Sequence, residues 1–265
     1  MSSPNFRFKQ FTVWHDKCAM KVGTDGVLLG AWCPIHNNFS TLNTSPYRLL
    51  DIGTGSGLIA LMLAQRLSYL YQTHHPTYHI DAIDIDSDAV IQAKENFALS
   101  PWTKHLHAHQ STLQEWKTQT TNSEVLYDLI ISNPPYFQQS LKNPNAQRAT
   151  ARHADTLKYS ELILHATRLL KPCGTLAFVL PIEAEEEILG LSKEFGLYPT
   201  HITHVYSKPC KPAKRLLIAL SSILRSNEAI AHCPYTHPIV KTFYIESANS
   251  PRSEDYKTLT QDFYL

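Results

Sequence analysis

The sequence of 265 residues has few cysteines, and their spacing is not that of a metal site or a disulfide framework. Their number is odd, and no two of them form a Cys-x-x-Cys pair. They are Cys18, Cys33, Cys173, Cys210 and Cys233. This pattern argues against both disulfide-rich scaffolds and zinc modules, and it indicates a reducing compartment.

The sequence also lacks long hydrophobic runs and an excess of one charge. No apolar stretch approaches the roughly 20 residues that a membrane helix needs. The amino terminus, MSSPNFRFKQF, has no apolar core of the kind found in signal peptides. We therefore expect a soluble, cytoplasmic protein without membrane contact. With 24 Lys and Arg against 23 Asp and Glu, the net charge is +1, so a polyanion site requires local clusters of basic residues.

What is present is a regular alternation of short apolar strands and helical segments. Strands are predicted at 48–53, 79–85, 105–111, 125–132, 174–181, 200–207 and 215–223, with a further edge strand at 240–246. Helices are predicted at 24–33, 56–71, 86–98, 156–170 and 183–195. This alternation predicts one α/β domain with a mostly parallel sheet. Thr24 or Asp25 is predicted to cap the first helix, and Asp86 the third.

Three histidines alternate along the third predicted strand. His105, His107 and His109 would share one face of that strand, where histidines are able to bind a metal ion. A polar strand face in a histidine-rich protein explains them more simply, so we predict no metal site.

A glycine-rich loop joins the first predicted strand to the helix that follows. In Asp51-Ile52-Gly53-Thr54-Gly55-Ser56-Gly57 the glycines allow a sharp turn and a close approach to a ligand. Leu58 stands where the dinucleotide-binding fingerprint has Gly or Ala, which disfavours a nicotinamide oxidoreductase. The loop resembles that of S-adenosylmethionine-dependent methyltransferases of the Rossmann-like class. The resemblance implies that the helix amino terminus faces the methionyl carboxylate and that Asp51 accepts from the ammonium group. A tight turn without a ligand is the alternative.

A carboxylate ends the second predicted strand. Asp84 lies where open α/β sheets bind ligands, and a carboxylate there is able to accept hydrogen bonds from both ribose hydroxyls of an adenosine. We therefore assign Asp84 to the cofactor ribose.

The tetrad Asn133-Pro134-Pro135-Tyr136 follows the apolar strand at 125–132. Its prolines end the strand and fix the backbone at the carboxyl edge of the sheet. The Asn133 side-chain oxygen and the Pro134 carbonyl are able to accept both hydrogens of an exocyclic amino group, which favours a localised lone pair aimed at a methyl donor. Tyr136 offers a stacking face for a flipped base, and Phe137 a further one. A proline turn with a surface tyrosine is the alternative.

The tetrad, the glycine loop and Asp84 together resemble the amino-methyltransferases that act on adenine N6, guanine N2 or protein glutamine. Only 50 residues precede Asp51, which is short for the helical domain of release-factor glutamine methyltransferases. The core at 46–225 leaves little room for the target-recognition domain of DNA adenine methyltransferases. Two alternatives remain, a glutamine-N5 protein methyltransferase and a non-catalytic module that binds S-adenosylmethionine or RNA.

Four further segments of the sequence narrow the resemblance to one family. Residues 8–13, 19–32, 211–215 and 259–265 are similar to those of the bacterial family that methylates N6 of adenine 37 in valine tRNA. The resemblance implies a Rossmann-like class I fold, with a mostly parallel seven-stranded sheet, helices on both faces and an antiparallel last strand. It implies one domain, with residues 1–45 covering the cofactor pocket, 46–225 as core and 226–265 as a terminal strand and tail.

The same resemblance implies the ligands. The cofactor would be S-adenosyl-L-methionine and the partner tRNA, with no metal and no obligate protein partner. Lys21, Thr24 and Asp25 would line the cofactor pocket from above. The sequence departs from the family after the third strand, where Ser111 and Thr112 occupy the place of an acid that holds the cofactor adenine. A threonine hydroxyl is still able to bind the adenine amino group, so we assign both residues to the cofactor site.

Two basic clusters are candidate RNA contacts. The first lies in the polar segment after the tetrad and comprises Lys142, Arg148 and Arg152; the second lies between the last two core strands and comprises Lys208, Lys211, Lys214 and Arg215. Both are placed to meet phosphates, with Pro135 and Phe137 beside the base. A solvated loop is the alternative for each cluster.

Overall fold

The architecture is an eight-stranded sheet flanked by helices on both faces, with a separate two-stranded hairpin. The computed structural model describes residues 3–35, 45–70, 77–116, 125–135, 158–222 and 237–264. The strands are Asn5–Arg7 (β1), Thr12–Trp14 (β2), Tyr47–Ile52 (β3), Tyr78–Asp84 (β4), Leu106–Gln110 (β5), Tyr127–Ser132 (β6), Leu170–Pro181 (β7), Leu197–Tyr206 (β8), Ala213–Ser222 (β9) and Ile239–Tyr244 (β10). The helices are Thr24–Trp32 (α1), Leu58–Leu70 (α2), Ser87–Ala98 (α3), Tyr159–Thr167 (α4), Glu185–Glu194 (α5) and Glu254–Thr260 (α6).

The large sheet has the order β10-β8-β9-β7-β6-β3-β4-β5. All of its neighbouring strands are parallel except at β9, which runs antiparallel to both β7 and β8. The carboxyl ends of the seven other strands therefore meet at one edge, which we call the carboxyl edge. The expected Rossmann-like class I fold is confirmed, and β10 extends the sheet to eight strands by pairing with β8.

Apolar central strands explain why both sheet faces are covered. Leu49, Leu50, Leu129 and Ile130 alternate between the faces and are all fully buried. One core contains Leu49 and Leu129 with α1 and α2, and the other contains Leu50 and Ile130 with α4. Burial on both sides is typical of parallel sheets, whose crossover helices cover each face.

The start of α1 differs from the prediction. Gly23 is the N-cap residue, and no side chain caps the helix, so the expected capping by Thr24 or Asp25 is wrong. Asp25 instead forms an ion pair with Arg215 at the start of β9. Capping by Asp86 is confirmed, because its side chain accepts a hydrogen bond from the Asp88 N–H at 2.9 Å.

The junction between α4 and β7 also differs. The helix ends at Thr167 rather than at 170, and β7 begins at Leu170. The Tyr127 N–H donates to the Leu169 carbonyl, and Leu170 pairs with Tyr127, so this segment joins the sheet early. Cys173 has a φ of 60°, and the register with β6 shifts here, which accommodates Lys-Pro-Cys-Gly as an irregularity inside the strand.

A buried amide is among the contacts that join the amino-terminal segment to the core. Asn96 in α3 donates to the backbone carbonyls of Trp14 and Ser56, both at 2.8 Å. It thereby links β2 to the glycine loop. The described helices include none with the length and apolar composition to cross a membrane.

Candidate active site

The glycine loop begins where β3 ends, and three of its residues have left-handed backbone angles. Gly53, Gly55 and Gly57 have φ values of 70°, 54° and 80°. The N–H groups of Gly53 and Thr54 donate to the Ile83 carbonyl in β4, at 2.9 and 3.0 Å. A Cβ at Gly53 or Gly55 would meet no atom within 4 Å, so the loop leaves open space beside its backbone. These features form a cradle for a ligand at the amino terminus of α2.

Gly57 has a second constraint besides its backbone angle. A Cβ there would lie 2.5 Å from the Phe97 ring. We expect Gly57→Ala to lower the free energy of unfolding by about 2–4 kcal/mol, because strain and overpacking add. Gly190→Ala is the matched control: a Cβ at this helical position meets no atom within 4 Å, and the change should stabilise α5 by up to about 1 kcal/mol. Urea denaturation of both variants tests this, and equal stabilities would contradict it.

Asp51 is the penultimate residue of β3, and its carboxyl group is fully buried. Its Oδ2 accepts a hydrogen bond from the Thr54 hydroxyl at 2.7 Å, whereas its Oδ1 is buried and has no hydrogen-bond partner. Burial raises the pKa of Asp51 to about 7, although the bond from the Thr54 hydroxyl and the nearby Ala60 N–H oppose the rise. A buried acceptor with a free lone pair fits a cationic ligand group.

Asp84 connects β4 to the glycine loop. One of its carboxylate oxygens accepts from the Gly55 N–H at 2.8 Å, and the other accepts from the Asp86 N–H at 3.0 Å. Its carboxylate is therefore held against the glycine loop, and its contact with a ribose stays a prediction. Next to it, Ile85 is 57% exposed, an apolar side chain that the sequence analysis missed. The signal for it in the sequence was an apolar residue, Ile85, standing between the acids Asp84 and Asp86 where the strand ends.

Ser111 and Thr112 follow β5 at the same edge. The Ser111 N–H donates to the Asp84 carbonyl at 3.0 Å. Thr112 forms a reciprocal pair with Glu115: the Glu115 N–H donates to the threonine hydroxyl, and the Thr112 N–H donates to the glutamate carboxylate. This is a capping box, readable as Thr-x-x-Glu, which the sequence analysis missed. The contact of Thr112 with a cofactor stays a prediction.

The tetrad lies beside the glycine loop. Ile52 and Ser132 are paired residues of β3 and β6, so Gly53 and Asn133 leave adjacent strands at the same level. The Ser132 hydroxyl donates to the Ile52 carbonyl at 2.9 Å and joins the two strand ends. Asn133 is half-buried, Pro134 is buried and Pro135 is exposed. Tyr136 and Phe137 lie outside the described residues.

Comparison with known proteins agrees with this geometry. The family model "methyltransferase small domain" matches residues 38–203. A protein of Parabacteroides distasonis named tRNA1(Val) (adenine(37)-N6)-methyltransferase is 45% identical over 265 residues, which cover 100% of this chain and 99% of that relative. This chain belongs to that methyltransferase family. A relative of the same name from Aeromonas salmonicida is 42% identical, covering 98% of this chain and 97% of its own.

A solved structure supports the methyltransferase fold. A predicted O-methyltransferase from Agrobacterium tumefaciens has a TM-score of 0.61 and 14% identity, covering 90% of this chain and 96% of its own. At this identity the likeness concerns the fold alone. The architecture of the sheet is therefore shared with other methyltransferases.

The methyltransferase places its second basic cluster at the carboxyl edge. Lys208, Lys211 and Lys214 are exposed in and after the turn between β8 and β9. Arg215 is different, because its guanidinium is held by Asp25. It ties α1 to the start of β9. The first cluster, Lys142, Arg148 and Arg152, lies outside the described residues.

The residues expected above the cofactor pocket lie at the start of α1. Lys21 and Thr24 are exposed, and Asp25 is half-buried against Arg215. The ion pair brings this helix start to the carboxyl edge, where the glycine loop also lies. Their contacts with a cofactor stay predictions.

The alternating histidines belong to a different polar cluster on β4 and β5. Asp81 lies within 3.3 Å of the imidazoles of His79 and His109 and accepts from the Tyr127 hydroxyl at 3.0 Å. Burial raises the pKa of Asp81, but the bonds from both imidazoles and the Tyr127 hydroxyl outweigh it and hold that pKa far below its usual range. Over the described ranges, no three His, Cys, Asp or Glu side chains are grouped as metal ligands. His109 is therefore the alternating histidine that contacts this buried acid.

Proposed function

We propose that this protein transfers a methyl group from S-adenosyl-L-methionine to N6 of an adenine in tRNA, with adenine 37 of valine tRNA as the target. The observation that carries the proposal is the placement of Asn133 and Pro134 beside the glycine loop, on adjacent strand ends. The full-length similarity to relatives named for this reaction supports it. The tetrad also resembles that of enzymes that methylate protein glutamine, so a glutamine side chain of a protein is the second candidate substrate.

The described residues fit the cofactor. The unpartnered Oδ1 of Asp51 suits the ammonium group, and the N–H groups at the start of α2 suit the carboxylate. Asp84 suits the ribose hydroxyls, and the exposed Ile85 offers an apolar surface for the adenine ring. S-adenosyl-L-methionine supplies a methyl group that its sulfonium already activates.

The tetrad positions the accepting amine. The Asn133 side-chain oxygen and the Pro134 carbonyl accept the two hydrogens of the adenine amino group. These bonds weaken the delocalisation of the nitrogen lone pair into the ring and aim it at the glycine loop. Most of the acceleration then comes from orientation, so no strong base and no metal ion is needed. Tyr136 supplies the stacking face for the flipped base.

The lysines after β8 are assigned to RNA phosphates. We expect Lys211→Glu with Lys214→Glu to weaken tRNA binding and to reduce the slope of log affinity against log salt by about 1.4–1.8, since each phosphate contact contributes about 0.7–0.9. Lys104→Glu with Lys193→Glu is the matched control, because it changes the net charge equally away from the carboxyl edge. Filter binding from low to high salt measures the slope. An unchanged slope removes this cluster from the RNA site.

One experiment separates the candidate functions. Labelled methyl transfer from S-adenosyl-L-methionine is measured with total bacterial tRNA and, in parallel, with a release-factor protein. N6-methyladenosine in the digested tRNA is the expected result. Label in the protein alone would assign the reaction to glutamine. No label in either, with cofactor still bound, would favour a non-catalytic binding module.

A further inference from the structure

A preformed cavity lies at the carboxyl edge, away from the glycine loop. It has a volume of about 380 Å³ and is lined by residues 208–210 and 246–251, so we call it the β8–β10 cavity. Pockets that hold small organic groups start at about 300 Å³. Backbone bonds fix its walls: the N–H groups of Ile245 and Glu246 donate to the Tyr206 and Ser207 carbonyls, both at 2.9 Å. A further bond joins the Ser253 N–H to the Ile245 carbonyl at 2.8 Å.

The cavity opens on the same edge as the tetrad. β8 and β10 are parallel to each other and run in the same direction as β6, since β9 reverses the direction twice. With strands about 4.8 Å apart, the ends of β8 and β10 lie about 15–20 Å from the end of β6. Four to six stacked nucleotides span that distance at about 3.4 Å each. One RNA loop is therefore able to reach both places.

The polar groups of the cavity are those that read a base edge. Lys208 presents an ammonium donor, Glu246 a carboxylate that only accepts, and Asn249 an amide that does both. A site for phosphate alone would not include Glu246, because like charges repel. A carboxylate and an amide together match the amino and ring-nitrogen groups of a nucleobase, while Lys208 is placed for the adjoining phosphate.

We propose that the β8–β10 cavity binds an unpaired nucleotide of the substrate RNA, close to the methylated adenine, and reads its base. The inference rests on the proposed function and names a second contact for the same RNA. It assigns Glu246 and Asn249 to substrate selection rather than to chemistry. The methyl-transfer residues and the cofactor site are unchanged by it.

The test combines protein variants with abasic RNA. Substrate tRNAs are assembled from synthetic fragments, each with one nucleotide near the target adenine lacking its base. Affinity and kcat/KM are measured for the unaltered protein, Glu246→Gln, Asn249→Ala and the control Glu186→Gln, an exposed acid on α5. Thermal unfolding of each variant verifies that it folds.

We expect one abasic position to weaken binding to the unaltered protein by about 5- to 100-fold, as loss of a bidentate hydrogen-bonding contact to a base edge does. At that position alone, Asn249→Ala and Glu246→Gln should cause no further loss, because the contact is already absent. The proposal would be overturned if the abasic position and the protein variant each reduced the affinity independently at every position. It would also be overturned if Asn249→Ala and Glu246→Gln bound the tRNA as tightly as the control variant. Tight binding of a free nucleoside monophosphate to these residues with no effect of any abasic position would overturn it as well.

The result is separable from the proposed function. If the unaltered protein forms no N6-methyladenosine on the intact tRNA, the proposed function fails. If N6-methyladenosine forms, but the loss of affinity at no abasic position depends on Glu246 or Asn249, only the cavity assignment fails.

Discussion

Asn133→Ala will lower the rate of methyl transfer by about 100- to 1,000-fold, the usual effect of removing one preorganised hydrogen-bonding group from a reacting atom. Cofactor affinity will change little, because the cradle is made of the β3 loop and Asp84 rather than the tetrad. Single-turnover transfer to tRNA measures the first quantity, and calorimetric titration with S-adenosyl-L-methionine measures the second. Asn5→Ala in β1 is the matched control and should retain full activity.

The split between rate and affinity is what tests the role of Asn133. If cofactor affinity fell as far as the rate, the tetrad would be a structural part of the cofactor pocket. If the variant kept both the rate and the cofactor affinity, groups other than Asn133 would have to bind the accepting amine.

The affinity for S-adenosyl-L-methionine will fall about tenfold for each pH unit below 7. The pKa of Asp51 in the free protein is about 7, raised mainly by burial, and the ammonium group binds only the ionised carboxylate. Titration between pH 5.5 and 7 avoids the ionisation of the ligand's own amino group, which lies near 8. The control ligand is 5′-methylthioadenosine, which lacks the ammonium, and its affinity should not vary in this range.

Asp51→Asn tests the same contact from the side of the protein. At pH 7.5 it should weaken cofactor binding by about 10- to 100-fold, the value of a hydrogen bond to a charged group.

The folded state binds the Asp51 proton more tightly than the unfolded state, so this group lowers the free energy of unfolding as pH rises from 4 to 7. The variant should lose that part of the pH dependence. A wild-type affinity independent of pH would remove Asp51 from the ammonium site.

Local sequence order identified the candidate chemistry. Asp51 with three closely spaced glycines, Asp84, and Asn133 with two prolines each lie at the carboxyl end of an apolar strand. Parallel strands place their carboxyl ends at one edge, so the three features come together once the sheet is predicted. The Thr112 and Glu115 capping box is equally local, although Thr112 was predicted only as a contact of the cofactor adenine.

Contacts between distant segments depended on the tertiary structure. Asp25 and Arg215 are 190 positions apart, and no spacing rule relates a helix start to a strand start at that distance. The cavity likewise exists only because β10 pairs with β8 and brings residues 246–251 to the turn at 208–210. Sequence periodicity reports which face of an element is buried, but it carries little information on its distant partners.

The fold class and the candidate reacting groups were therefore predictable from the sequence, because strand ends and turn residues are encoded locally. Which basic side chains are exposed and which are paired was visible only in the folded structure, since pairing depends on distances across the sheet. Arg215 has the charge of its neighbours Lys211 and Lys214, yet its position at the start of β9 places its guanidinium on Asp25 rather than leaving it exposed as theirs are.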